Sequence, residues 1–400
     1  MPNKIYYGKN VYDNKEINAV IKRIKDTTQM GPSVAEFEKK VSKIFSKKYG
    51  LMVNSGSSAL ILALKVLNFD KDSEIITPCL NFGTAVSSIM LSNYKPVFVD
   101  CEVDTLQINI SQIKNKITKK TRALLIPNLI GNIPDWKDIK KIAKKHKLLV
   151  IEDSADTIGC KINKKATSIY SDISITSFYG SHVISCAGNG GMMLTNNFKY
   201  FQKAKILRSW GRMSTLVKDS DNINKRLGVK LKGYDYDKKF IFSEVGYNFE
   251  PSELGAAFGL EQLKKLKNFT NIRNRNFGQL YKFFKTLNKF FILPKIHKGV
   301  FTNFLAYPII LKENKLFNRK QMQIFMEKNN IQTRPIFSGN ILRHPAFNKL
   351  VNVKNRLNSF KNSDYIMKNG LLIGCHQGLN ENQISKIKNV IKKFLKEVKA

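Results

Sequence analysis

From about residue 50 onward, short apolar runs alternate with helical stretches, and this constrains the fold more than any other feature. The runs are Leu51–Val53, Ile75–Ile76, Pro96–Val99, Ala123–Ile126, Leu148–Ile151, Ile173–Phe178 and Met192–Leu194. Their polar residues stand only at the ends, which marks strands buried on both faces and so a mostly parallel sheet covered by helices. The segments between them read as helices, among them Gly56 through Leu67 and Ala85–Leu91. Lys137–Lys147 sets Ile139, Ile142 and Ala143 opposite a lysine-rich face. Asn14–Asp26 places Ile17, Val20, Ile21 and Ile24 on one helical face, and residues 252–289 read as helix. After Asn303, short strands and helices mix, ending in a helix with Ile384, Ile387, Ile391, Phe394 and Val398 on one side. The expectation is α/β: a large domain over 1–265 with a mostly parallel sheet between helices, and a smaller α+β domain over 266–400.

Charge narrows the function classes. Lys and Arg number 68 against 30 Asp and Glu, a formal net charge of +38. Such a balance can mark a nucleic-acid or membrane-surface binder. The lysines are spread from end to end, however, and form no basic stripe with interleaved aromatics, so neither nucleic acid nor membrane is an expected partner. An anionic small molecule would still be attracted. Cys79, Cys101, Cys160, Cys186 and Cys375 are odd in number and show no CxxC spacing, which points away from a disulfide framework or zinc site and toward a reducing cytoplasm. No metal is expected. Met1 to Asp13 has no apolar signal core, and no run approaches the roughly 20 apolar residues of a membrane span.

Three segments carry chemistry. Asn54-Ser55-Gly56-Ser57-Ser58-Ala59 joins a strand to a helix. A small, glycine-bearing turn at a helix N-terminus offers backbone N–H groups and the positive end of the dipole to an anion, although an ordinary N-cap looks the same. Ile151-Glu152-Asp153-Ser154-Ala155-Asp156 closes a strand at its carboxyl end, where open α/β sheets bind ligands. A carboxylate there either holds a pyridinium nitrogen protonated or merely caps a helix. Ser177-Phe178-Tyr179-Gly180-Ser181-His182 followed by Gly188-Asn189-Gly190-Gly191 suits a tight loop lying against a ligand. His182 alone reads as either a proton carrier or a hydrogen-bonded structural histidine.

Taken in this order and spacing, the three segments resemble the DegT/StrS-type sugar aminotransferases over nearly the whole chain. Gly246-Tyr247-Asn248, Pro251 through Ala257, Gln262-Leu263 and Thr333-Arg334-Pro335 extend the likeness. The resemblance implies a fold-type I enzyme that binds pyridoxal or pyridoxamine 5′-phosphate and forms a homodimer with shared sites. By the same resemblance, Gly56, Ser57 and Ser177 hold the cofactor phosphate. Asn248 reaches that phosphate from the neighbouring subunit. Asp153 pairs with the pyridinium nitrogen, Asp156 lies near the ring hydroxyl, and Phe82 stacks on the ring. Arg334 and Phe337 are the expected substrate contacts.

One position departs from the transaminase pattern. Transaminases of this family carry lysine where this chain has His182. Imidazole cannot make the lysine's covalent link to the cofactor aldehyde, but it moves protons at neutral pH. The likeness is therefore to the 3-dehydratase branch, which Tyr234–Asn248 and Gly339–Phe347 also resemble. That branch acts on nucleotide-linked 4-keto-6-deoxyhexoses in deoxysugar biosynthesis for surface polysaccharide, with the histidine, supported here by Tyr179, as proton carrier. One type, resembling CDP-4-keto-6-deoxyglucose dehydratases, bears a cysteine-ligated [2Fe–2S] cluster after a Trp-Gly-Arg. Here Trp210-Gly211-Arg212 is followed by no cysteine through Arg226, so no iron–sulfur cluster is expected. The other type, resembling GDP-4-keto-6-deoxymannose 3-dehydratases, uses glutamate as amino donor. The alternatives are a transaminase-like protein with another outcome and a catalytically dead nucleotide-sugar-binding scaffold.

Overall fold

A computed structural model describes residues 4–217, 221–350 and 359–399. Seven strands form the central sheet: β1 (Tyr49–Val53), β2 (Glu74–Pro78), β3 (Lys95–Val99), β4 (Thr121–Pro127), β5 (Leu149–Ser154), β6 (Ile173–Ser177) and β7 (Gly191–Thr195). Their spatial order is β1-β7-β6-β5-β4-β2-β3. Neighbours from β3 through β6 are parallel, whereas β7 runs antiparallel to both β6 and β1. The consequence for function is directional. β1, β5 and β6 all point the same way, so Asn54-Ser55, Asp153 and Ser177 meet at one edge of the sheet. The expected parallel sheet is therefore present, with one reversed strand next to its end.

Each apolar run is long enough to be a strand because helices cover it on both sides. Leu62, Ala63, Ile75, Ala123, Leu125 and Ile151 pack on one face, and Ile76, Leu124, Ile126, Trp136, Ile139 and Val150 on the other. The lysine-rich helix forms at Trp136–Lys145 and buries Ile139, Ile142 and Ala143 as expected from its period.

A second, antiparallel sheet contains β8 (Phe291–Ile292), β9 (Ala306–Leu311), β10 (Thr333–Pro335) and β11 (Gly370–Gly374), in the order β8-β9-β11-β10. The last helix, Glu381–Glu397, lays Ile384, Ile387, Ile391 and Phe394 into its core. Helix Glu253–Lys285 joins the two sheets. Ala256 and Phe269 pack with the large-sheet side, while Phe277, Leu280 and Phe284 enter the core of the small one. It is 33 residues long and runs unbroken through positions 265 and 266. Glu253 at its start is fully buried and accepts hydrogen bonds from the amides of Gly31, Ser33 and Val34. It thereby caps the helix Pro32–Ile44, whose own N-cap is a glycine with no side chain to offer.

The helix Asn14–Asp26 forms over the expected residues, but its apolar face is turned outward. Ile17, Ile21 and Ile24 are 43%, 44% and 57% exposed. The buried residue is Glu16, held by Gln262 Nε2 and Lys265 Nζ at 2.6 Å each. An ion pair on the inner side fixes the helix's rotation and leaves the isoleucines on the surface of the single chain.

Candidate active site

A cavity of about 720 Å³ opens where the carboxyl ends of β1, β5 and β6 face the small sheet. At one end stands the turn after β1. Ser55 caps the helix Gly56–Lys65 by accepting from the Ser58 amide at 3.1 Å. The amides of Gly56 and Ser57 precede the first intrahelical bond, and both residues line the cavity end. A Cβ at Gly56 would lie 2.7 Å from Ser177 Cβ, and one at Gly191 would lie 2.3 Å from the Ser55 carbonyl carbon. Only glycine at both positions lets turn, Ser177 and β7 close up. Two hydroxyls, Ser57 and Ser177, thus share an end of the cavity with the positive end of a helix, an arrangement suited to a phosphate.

The floor is acidic. Strand alternation puts Glu152 and Asp153 on opposite faces of β5. Glu152 is buried away from the cavity and satisfied by Asn128, Thr167 and Ser174. Asp153 and Asp156 line the cavity. Each accepts a backbone hydrogen bond, from Ala155 N at 3.0 Å and Ile130 N at 2.8 Å, and among the described residues neither meets a cation. Desolvation pushes Asp153 up to about 6 and Asp156 up to about 7.

His182 lies on the opposite wall, in the loop between β6 and β7. Its Nδ1 meets the Ser177 carbonyl at 3.3 Å. A carbonyl only accepts, so Nδ1 carries the hydrogen and Nε2 keeps its lone pair. Burial, with a smaller contribution from the Arg273 guanidinium, lowers its pKa to about 4, so the ring is neutral at neutral pH. Tyr179 packs edge-on against it with ring centroids 5.9 Å apart. At the mouth, Phe82 is 56% exposed and meets Phe337 edge-on at 6.2 Å. Arg334 also lines the mouth and donates to the Thr333 carbonyl at 2.9 Å.

The structure thus gathers Gly56, Ser57, Phe82, Asp153, Asp156, Ser177, Tyr179, His182, Arg334 and Phe337 in one cavity. Asn248 is the exception. It is exposed and absent from the lining, and its carbonyl accepts from Asn54 Nδ2 at 3.4 Å. Sequence reasoning missed Tyr7, Asn81, His344 and the buried Arg273 behind His182. Tyr7 belongs to an N-terminal strap packed so closely on the loop that a Cβ at Gly8 would lie 2.9 Å from Ser181 Cβ. No periodicity marks such a strap.

This donor set fits pyridoxal or pyridoxamine phosphate on its own chemistry. A helix end and hydroxyls await an anion, an uncompensated buried carboxylate awaits a protonated ring nitrogen, and an exposed phenylalanine stands at the wall. The five cysteines are buried with Asn340, Ser363, Thr302, Gly259 and Phe304 as respective neighbours. Among the described residues no group of three or more His, Cys, Asp or Glu could hold a metal. Residues 218–220 of the cysteine-free stretch lie outside the described residues. Among the described residues, no helix is long and apolar enough to cross a membrane.

Comparison with known proteins agrees with this geometry. The family model described as the DegT/DnrJ/EryC1/StrS aminotransferase family matches residues 10–392. The dTDP-4-dehydro-2,6-dideoxy-D-glucose 3-dehydratase of Saccharopolyspora spinosa is 32% identical over 379 residues, covering 91% of this chain and 80% of the relative. The structure of Escherichia coli GDP-4-keto-6-deoxy-D-mannose-3-dehydratase with bound hydrated PLP superposes with a TM-score of 0.86 at 28% identity, covering 96% of this chain and 98% of that one. A GDP-4-keto-6-deoxymannose-3-dehydratase with a trapped PLP-glutamate geminal diamine superposes with a TM-score of 0.85 at 26% identity, covering 96% and 99%. The chain therefore belongs to the DegT/DnrJ/EryC1/StrS aminotransferase family, in its 3-dehydratase branch.

Proposed function

We propose that this chain is a pyridoxamine phosphate-dependent dehydratase that removes the C3 hydroxyl of a nucleotide-linked 4-keto-6-deoxyhexose. The carrying observation is His182: a neutral imidazole with a free Nε2, set in an otherwise intact cofactor cavity at the position of the transaminase lysine. When bound, pyridoxamine phosphate supplies the amine that engages the keto carbon and an electron sink. The chain's own residues do the rest. Gly56, Ser57 and Ser177 anchor the phosphate, Asp153 keeps the ring nitrogen protonated, Asp156 faces the ring hydroxyl and Phe82 covers the ring. His182 Nε2 takes the proton released beside the ring and returns one to the departing C3 oxygen, with Tyr179 packed against it. Arg334 and Phe337 at the mouth receive the nucleotide sugar. Glutamate, which a related structure holds as an adduct with PLP, is the proposed amino donor.

The working form is a homodimer acting in the cytoplasm. Support for the dimer comes from a segment over residues 221–249 that exposes Tyr234 and Val245 to 77% and 95%, together with Asn248 placed outside its own cavity. Exposed apolar side chains of this kind ask for a partner surface. The test is incubation with GDP-, dTDP- and CDP-linked 4-keto-6-deoxyhexoses plus glutamate, read by mass spectrometry. A product lighter by one oxygen atom, formed together with 2-oxoglutarate, supports the reading. An amino sugar, or an unchanged panel, rejects it.

A further inference from the structure

Arg273, on the helix Glu253–Lys285, is fully buried. Its Nη1 donates to the Phe304 and Leu305 carbonyls at 2.8 and 3.1 Å, its Nε to Gln377 Oε1 at 2.7 Å, and its Nη2 to the His182 carbonyl at 3.4 Å. Gln377 in turn donates to the Val183 carbonyl at 3.3 Å. Every acceptor of the guanidinium is neutral, and among the described residues no carboxylate pairs with it. A buried cation without a counter-ion is costly. A neutral amide could satisfy part of this acceptor set without the cost of a buried charge, so the charge calls for a use. Besides the Phe304 and Leu305 carbonyls, the guanidinium reaches the backbone of the loop at His182 itself, and through Gln377 at Val183.

We infer that Arg273 is a positioning residue that keeps His182 uncharged until it takes the proton released beside the cofactor ring, and then drives that proton onto the departing hydroxyl, with Gln377 holding the guanidinium in place. The inference rests on the dehydratase reading above. The proton moves to Nε2 while the C–H electron pair stays in the conjugated system. The C3–O bond then breaks with its pair on oxygen, and Nε2 gives the proton to that oxygen, releasing water. An imidazolium next to a fixed cation is a stronger acid than one in water, so the second transfer is favoured. Burial is the larger cause of the neutral ring and Arg273 adds to it, while the Ser177 carbonyl opposes both. The other titratable groups lining the cavity with His182 are Asp153 and Asp156 on its floor, Tyr7 and Tyr179 on its walls, and Arg334 and His344. Cys375 and His376 lie within the field of Arg273.

The test is an NMR titration of the histidines in cofactor-free protein, with His182 assigned by its absence in His182→Asn. Wild type should titrate well below the ordinary value of about 6.5. Arg273→Lys keeps the charge and should keep the low midpoint. Arg273→Gln removes the charge, and Gln377→Glu sets a carboxylate against it without removing the arginine. Both should raise the midpoint by roughly one pH unit, and Gln377→Glu should carry the acid limb of kcat/KM upward with it. A wild-type midpoint at the ordinary value overturns the inference, as does an unmoved midpoint in either charge-neutralising variant. Should Arg273→Gln not fold, Gln377→Glu and wild type still decide. Product formation from the sugar panel is scored separately. A low midpoint without product rejects the dehydratase reading, and product with an ordinary midpoint rejects the role of Arg273.

Discussion

Glu152 and Asp153 are consecutive, buried carboxylates on opposite faces of β5, and only the second reaches the cavity. Glu152 is met by Thr167 at 2.5 Å, Ser174 at 2.7 Å and Asn128 at 2.9 Å. Asp153 has a single backbone donor, Ala155. The chain thus satisfies one acid internally and leaves the other for a ligand.

That difference sets a pH-dependent outcome. Asp153 goes from an ordinary 3.8 to about 6 on folding. A carboxyl with a raised folded pKa favours the folded state below its unfolded pKa, and this contribution is lost as pH rises through the folded value. In cofactor-free protein, Asp153→Asn should therefore add on the order of 2–3 kcal/mol of stability at pH 8 and almost nothing at pH 4. The titration of His182, which runs the other way, is common to both proteins and cancels in the difference. Denaturant melts at the two pH values check this. Equal gains at both would show that Asp153 is not desolvated. The same variant should lose cofactor.

His182→Lys should convert the site. A lysine in this loop can link covalently to added pyridoxal phosphate, giving a visible chromophore, gaining transaminase character and ending dehydration. A variant that stays colourless with added aldehyde would mean that position 182 does not face the ring.

Purified protein should hold no iron–sulfur cluster. The stretch from Met213 to Arg226 has no cysteine, and the five cysteines are buried among separate neighbours. Anaerobic preparation followed by iron and acid-labile sulfide analysis decides the matter; stoichiometric amounts of both refute the expectation.

Asn248→Ala should weaken cofactor binding through the dimer. Loss of one hydrogen bond to a charged group costs on the order of 1.5–3 kcal/mol, roughly tenfold to a hundredfold in affinity. Mixed dimers pairing an Asn248→Ala subunit with a His182→Ala subunit separate the cases. If Asn248 acts across the interface, one site carries both lesions and the other none, leaving about half of wild-type activity. Only residual activity would place Asn248 in its own subunit's site.

Local pattern determined most of what this chain is. Strands buried on both faces announce themselves as unbroken apolar runs, and the motif residues follow directly after those runs, so their meeting at one sheet edge was implied by strand direction. His182 standing where transaminases carry lysine was legible only through the resemblance to the family, since the surrounding loop residues match its motif. Tertiary structure alone decided the rest. The outward face of Ile17, Ile21 and Ile24 depends on Glu16 finding Gln262 and Lys265, some 250 residues away in the chain. The place of Tyr7 depends on a strap with no period of its own. Arg273 is one basic residue among many in a lysine-rich helix until the fold brings Phe304, Gln377 and His182 to it. Periodicity reports which way a segment faces, but the partner of a buried charge is set by distant chain packed over it, and that is why the loop around His182 could be read from sequence while the cation behind it could not.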